Sequence, residues 1–346
     1  MTGIEGRKRE HIDTVLNEDV MSKGVTSGFE DYVFEHVALP EIDLDAVETG
    51  CTVFGKRLAS PLLISSMTGG TAIARDINMR LAEAAQSLGI AMGVGSQRAA
   101  IEDAAFVDTF NVRPVAPDIL LFANLGAVQL NYGYSVDQAR RAVDMIGADA
   151  LFLHLNPLQE AVQAGGDRNW AGLYAKIGTL VDAIEVPVVV KEVGNGISGS
   201  LARRLADLGV AGIDVAGAGG TSWSEVEAYR QEDPMSRRVA HAFSGWGIPT
   251  ARALTDVCAA VPDVPVFASG GIRSGIEVAK AVRLGASLAG IAAPALGSAT
   301  ETAAAVTEAM AATAEELRIA MFCTGSQDLK ALKSAVLRRV SDGSSI

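Results

Sequence analysis

Several polar side chains in this chain are spaced so that they could act together on a small anion. In DALFLHLN, His154 and Asn156 lie two positions apart, and Gln159 and Glu160 follow within one helical turn. An imidazole and two amides so placed could orient a substrate or move a proton. Glu160 is the nearby carboxylate suited to a hard cation such as Mg2+, which would keep several waters. Lys191 sits inside the apolar run PVVVKEV, where an ammonium is costly unless it is paired or faces an anion. Its use there would be to face a phosphate or an electron-rich ring; the structural alternative is a salt bridge to Glu192 or another carboxylate. Ser269–Gly275, SGGIRSG, reads either as a phosphate cradle of backbone N–H groups or as a glycine turn opening a helix capped by Ser274. Arg7-Lys8-Arg9 is a basic cluster, either a solvated tail or a clamp over an anionic substrate. His11, His36 and His241 show no partner pattern.

The elements that must hold these groups repeat. Apolar runs beginning near residues 61, 90, 118, 149, 187, 211, 264 and 287 read as strands, each followed by helix-like sequence. The helices include Ala74–Leu88, Val136–Ile146, Leu201–Leu208 and Ile276–Leu284. Strands alternating with helices imply a parallel sheet with right-handed crossovers, and this count is what a (β/α)8 TIM barrel requires. The expected architecture is an α/β chain with a barrel over 61–318. An N-terminal extension over 1–60 contributes to the site, and a C-terminal extension over 319–346 packs on the barrel. The stretch 222–249, with Trp223 and Trp246, is an insertion after strand six. In such barrels the site lies at the C-terminal strand ends. Here those ends carry Ser65–Gly70, Gly95–Arg98, Asn124, His154–Asn156, Lys191-Glu192, Gly219–Thr221, Ser269–Arg273 and Ala292-Ala293. Alternation along DALFLHLN puts Phe152, His154 and Asn156 on one face, which would look into the barrel.

Composition removes other classes. The 346 residues carry a net charge of −12 with no basic stripe, so nucleic acid is not an expected partner. Met1–Glu10 has no apolar h-region, and Gly285–Thr300 is too weakly apolar to span a bilayer. Neither a secretory signal nor a membrane segment is therefore expected. Cys51, Cys258 and Cys323 form no CxxC pair, which implies neither a disulfide framework nor a zinc site, and a reducing cytoplasm is the expected compartment. The 36 glycines exceed the usual share, and many fall at the strand ends, as backbone approaching a ligand would require.

Taken in order, RKREH, SSMTGGT, GSQR, the Asn124 strand, HLNPLQE, VKEVGNGIS, GAGGTSW, SGGIRSG and MFCTGS resemble the FMN-dependent, type 2 isopentenyl-diphosphate isomerases along almost the whole chain. The resemblance implies reversible conversion of isopentenyl diphosphate into dimethylallyl diphosphate, with Mg2+ and FMN in its reduced form, NADPH serving as flavin reductant. It assigns the flavin to Ser66, Met67, Thr68, Ser96, Asn124, Lys191, Thr221, Gly271, Ile272, Arg273, Ala292 and Ala293. Substrate would fall to Arg7, Lys8, Ser96, Gln97, Arg98 and Gln159, and the metal to Glu160. Gln159, His154 and Asn156 would form the catalytic set, the last two completing the diphosphate pocket. A homo-oligomer, tetramer or octamer, is implied. Ala216 stands where many members of that family carry a hydroxyl, and the Ala292-Ala293 pair is unusually small.

The residues themselves constrain the chemistry. Moving a double bond adds a proton at one carbon and removes one at another, with no net redox change. No cysteine falls at a strand end, which argues against a thiol acid and against a barrel of the inosine-monophosphate-dehydrogenase kind. A 2-hydroxy-acid oxidoreductase would want a histidine near strand seven, where ASGGIRSG offers Arg273 but no histidine. A non-catalytic flavin or phosphate sensor would not need the polar groups that fill the strand ends.

Overall fold

The computed structural model describes residues 4–341 and Ser344, the side chains of Ile4, Glu5 and Arg7 excepted. Eight parallel strands close into a barrel. In chain order they are β1 (Leu62–Ile64), β2 (Ala91–Gly93), β3 (Leu121–Gly126), β4 (Ala150–His154), β5 (Val188–Lys191), β6 (Gly212–Asp214), β7 (Val266–Ser269) and β8 (Leu288–Ile291). Each strand lies beside the next, and β8 returns to β1 through Ala289–Leu62, Gly290–Leu63 and Ile291–Ile64. All eight fall on the apolar runs read from the sequence, β3 running one residue past its run to Gly126, because strands buried on both faces must be nearly continuous in apolar residues.

The period-two alternation sorts side chains between two cores. Leu63, Phe122, Phe152, Val189, Phe267 and Leu288 fill the interior. Leu151, Leu153 and Val190 face outward into the layer of helices. Inside, Phe122 stacks on Phe152 with centroids 4.2 Å apart. A hairpin, Cys51–Val53 with Lys56–Leu58, closes the end away from the site, its Phe54 ring edge-on to Phe122 and Phe267 at 6.3 and 6.2 Å. Phe122→Ala would empty the middle of this ring cluster and is expected to cost about 3–5 kcal/mol. A urea titration would show it as a lower midpoint with an unchanged slope.

Local signals end the helices where the chain must turn back. Val136–Ile146 opens on a capping box of Ser135 with Gln138 and stops at Gly147 in the left-handed conformation. The stretch after β6 holds two short helices, Trp223–Arg230 and Pro234–His241, before the barrel helix Thr250–Ala260 resumes the pattern. The long helix Ala303–Cys323 packs on Ala72–Leu88 and Gly275–Arg283 and runs through residue 318, so barrel and C-terminal extension share it.

The N-terminal extension is bound at both ends of its course. Helix Ile4–Asn17 packs on Trp223–Arg230, Met21 bridges to Thr221, and Tyr32–Phe34 pairs antiparallel with Leu337–Arg339. Among the described residues no helix is long and apolar enough to cross a membrane.

Candidate active site

A deep cavity opens at the C-terminal ends of the strands, under helix Ile4–Asn17. It gathers residues from all eight strand ends and from the N-terminal extension, and it has two unlike halves.

The first half is built of small residues and hydroxyls. Ser66, Met67 and Thr68 follow β1, Ser96 follows β2, Asn124 lies in β3, and Lys191 ends β5. Thr221, the turn Gly271-Ile272-Arg273, and Ala292-Ala293 complete it. Gly271 has φ 77°, and a Cβ there would lie 2.7 Å from the carbonyl oxygen of Gly219. Only glycine allows these two loops to meet. Helix Ala293–Glu301 starts beside them with no side-chain cap, and Ala292, Ala293 and Pro294 at its start line the cavity, so a helix N-terminus lies at the rim where an anion could sit. The hydroxyls of Ser65 and Ser66 are buried there with no hydrogen-bond partner among the described residues. Polar atoms left so, beside a glycine cradle and an uncapped helix start, fit a planar polar ring carrying a phosphate.

The second half is built of amides and carboxylates from β4 and the following helix Pro157–Val162. Asn156 donates through Nδ2 to Gln159 Oε1 at 3.1 Å and to Glu160 Oε1 at 3.0 Å, while its own Oδ1 is buried without a partner. Glu160 Oε2 accepts the Asp167 N–H at 2.7 Å. Arg98 bonds Glu102 at 2.7 Å and Asp167 at 2.6 Å. Burial works against the Arg98 charge, yet those two carboxylates raise its pKa. No cluster of three or more His, Cys, Asp or Glu that could hold a metal occurs among the described residues. Glu160 and the Asn156 Oδ1 are oxygens of the kind a hard cation takes, and they would suit one that draws its other oxygens from a bound phosphate and water, as Mg2+ does.

Two imidazoles face the cavity, and both are held neutral. His154 lies with Nδ1 2.7 Å from Asn124 Oδ1, and Asn124 donates through Nδ2 to the Val94 carbonyl at 3.1 Å. The Asn124 oxygen thus receives the Nδ1 hydrogen, leaving Nε2 as an acceptor. Burial first, then the nearby positive charges of Lys191 and Lys8, push the His154 pKa down to about 3. Burial also lowers His11, outweighing its 3.0 Å hydrogen bond to Glu227. A histidine neutral when folded and protonatable when unfolded makes stability rise with pH between the two pKa values, here from about 3 to about 6.5. His154→Gln removes that dependence. The variant's stability relative to the parent is expected to improve by about 1–3 kcal/mol from pH 8 to pH 5, read by thermal melts at both.

Every expected site residue but two lines the cavity. For Arg7, in the first helix, the side chain lies outside the described residues. Gln97 is a correction: it is fully buried outside the lining, its Oε1 accepting the Asn124 N–H at 2.9 Å and its Nε2 reaching the Ala142 carbonyl at 2.8 Å. Its amide satisfies backbone groups between β3 and a helix, so it braces the wall and has no face for substrate. Lys191 follows the structural alternative in part, with Asp214 in place of Glu192, at 3.6 Å.

Sequence reasoning missed the layer behind the amides. Glu227, fully buried, accepts from Gln159 Nε2 at 3.1 Å and from Arg230 at 2.6 Å. Burial pushes its carboxyl up, but the contacts from His11, Arg230 and Gln159 together hold it below the ordinary range. The signal was present as a helical spacing, since Trp223 and Glu227 lie one turn apart, but the helix sits inside what reads as an irregular insertion.

Comparison with known proteins places the chain in a family. The model of the FMN-dependent dehydrogenase family matches residues 3–114 and 137–339. An isopentenyl-diphosphate delta-isomerase from Synechocystis sp. is 61% identical, the match covering 97% of each chain. One from Cronobacter sakazakii is 55% identical over 98% of each. The solved structure of a mandelate oxidase, 20% identical, shares the fold with a TM-score of 0.66 over 96% of this chain and 94% of that one. The chain belongs to the isopentenyl-diphosphate delta-isomerases, enzymes built here on the barrel of the FMN-dependent dehydrogenase family.

Proposed function

We propose that this enzyme interconverts isopentenyl diphosphate and dimethylallyl diphosphate, using FMN in its reduced form, Mg2+, and NADPH as the flavin's reductant. The observation that carries this reading is the division of the cavity. A half of hydroxyls, glycines and small residues stands against an amide–carboxylate half, and the imidazoles facing the cavity are neutral. An oxidation of a 2-hydroxy acid would want a histidine base after β7, and Ser269–Gly275 contains none.

Ser66, Thr68, Asn124 and Lys191 would hold the ring of FMN, with the Gly271 turn and the start of helix Ala293–Glu301 on its phosphate. Bound and reduced, the flavin would supply proton exchange at the allylic carbons. The chain's own residues do the rest. Lys8 and Arg98 neutralise the diphosphate, and Glu160 shares Mg2+ with it. Neutral His154 cannot protonate an alkene at neutral pH, so its part is to hold Asn124 and line the pocket. Gln159 is fixed at its oxygen by Asn156 and at its nitrogen by Glu227, which presents its amide in one orientation. Helix Ile4–Asn17 and Trp223 cover the mouth and keep water from a reactive allylic centre.

The purified protein is expected to be yellow, with an FMN-type absorbance spectrum. A colourless protein that takes up no FMN on reconstitution would overturn the reading.

A further inference from the structure

Three groups on the cavity wall meet, behind it, on one residue. Asp214 ends β6, is fully buried, and does not itself line the cavity. Its Oδ1 accepts the Ser269 hydroxyl at 2.7 Å and the Ala216 N–H at 3.3 Å. The other oxygen, Oδ2, has no hydrogen-bond donor and lies 3.6 Å from Lys191 Nζ. Ser269, Ala216 and Lys191 all face the cavity. Ala216 has φ 36°, a left-handed backbone that an alanine adopts only when its surroundings impose it. The adjacent carboxylate, Glu192, is committed elsewhere: its Oε2 accepts the N–H groups of Val193, Gly194 and Asn195 at 2.5–2.8 Å. Asp214 is thus the carboxylate that faces Lys191. With side chains 7% and 0% exposed, the pair is shielded from solvent.

We propose that Asp214 is a positioning residue that sets the charge of the flavin site. It balances Lys191, so a bound flavin meets a neutral pair able to donate hydrogen bonds, not a bare ammonium. The inference rests on FMN occupying this cavity. In a poorly screened site, a single unbalanced charge changes the relative stability of two bound states that differ in charge. The reduced flavin is the more negative of the two. Asp214 would therefore keep the bound flavin's potential lower than Lys191 alone would set it, while anchoring Ser269 and the Ala216 turn.

The test is a spectroelectrochemical titration of the FMN-loaded protein. The midpoint shift from free FMN gives the ratio of affinities for reduced and oxidised flavin. Asp214→Asn is expected to stay yellow and to favour reduced FMN by about tenfold more than the parent, a rise of about 30 mV for two electrons. Ser269→Ala, which keeps the charged pair, is expected to move the ratio less than threefold. Lys191→Gln is expected to shift it in the opposite direction, and Lys191→Gln with Asp214→Asn, again neutral, to return it to near the parent value. The double variant removes both charges of the pair together and serves if Asp214→Asn does not fold. A yellow Asp214→Asn protein with the parent potential would overturn the proposal, as would a double variant matching Lys191→Gln alone. Loss of FMN from the parent itself would instead strike the reading of the cavity.

Discussion

Glu160→Gln is expected to lower kcat/KM for the diphosphate by about two hundredfold to five-thousandfold while leaving FMN bound. The side chain keeps its size, and its amide oxygen can still accept from Asn156 Nδ2. What is lost is the charge that would face Mg2+, and removing one partner of a buried ionic contact costs roughly 3–5 kcal/mol. Each 1.36 kcal/mol is about tenfold in rate, which sets the range. Because the Asp167 N–H also lies on Glu160, the loop that carries Asp167 to Arg98 is expected to loosen, and KM rises with it. The flavin half lies on other strands and keeps its geometry. Titrating activity against Mg2+ concentration, with absorbance of bound FMN followed in the same samples, separates the two halves. An unchanged Mg2+ requirement, or release of FMN, would count against the metal role.

Glu227→Ala is expected to damage both stability and turnover. The carboxylate is fully buried among His11, Arg230 and Gln159, and truncation leaves Arg230, whose side chain is 15% exposed, with Glu10 as its remaining carboxylate. The expected loss of stability is about 3 kcal/mol, at the low end for breaking a buried pair because that second partner remains. Turnover is expected to fall by about tenfold to a hundredfold, since Gln159 loses the contact that orients it. The pH dependence has a definite sign. The folded carboxyl lies below its ordinary value, so its contribution is present above about pH 4.5 and is lost as pH falls through the folded value. Acid melts of the parent and Glu227→Gln are therefore expected to converge at low pH. Parallel curves would show that the carboxylate is not charged in the fold.

The barrel was legible because its physics is local and repeated. A strand buried on both faces must be a short apolar run, and DALFLHLN carried both the run and the alternation that turns Phe152 and His154 inward. Site residues at strand ends were legible for the same reason, since the fold puts every such end at one rim. What could not be read were contacts between distant segments. The resemblance gives Gln97 to substrate with the rest of the GSQR turn, yet its amide reaches the Ala142 carbonyl and it turns into the wall. Asp214 looked like part of a strand, and Glu227 like part of a loop. Each acquires its role only when β5 and β7, or helix Ile4–Asn17 and Gln159, are brought against it. The insertion resisted reading because it is two short helices of which the first, Trp223–Arg230, faces inward with Ser224–Ala228 buried. It is buried between its neighbour Pro234–His241, helix Pro157–Val162 and the N-terminal helix, and the last two are distant in sequence, so its own periodicity does not reveal it.

The expected reaction is an isomerisation without net redox change on a flavin-loaded barrel. The most direct measurement is anaerobic incubation of the FMN-loaded protein with isopentenyl diphosphate and Mg2+, the flavin being reduced once by a small amount of NADPH. Dimethylallyl diphosphate is expected to accumulate over many turnovers for each NADPH consumed, and to stop when Mg2+ is chelated. No allylic product, or a product that consumes NADPH one for one, would contradict it.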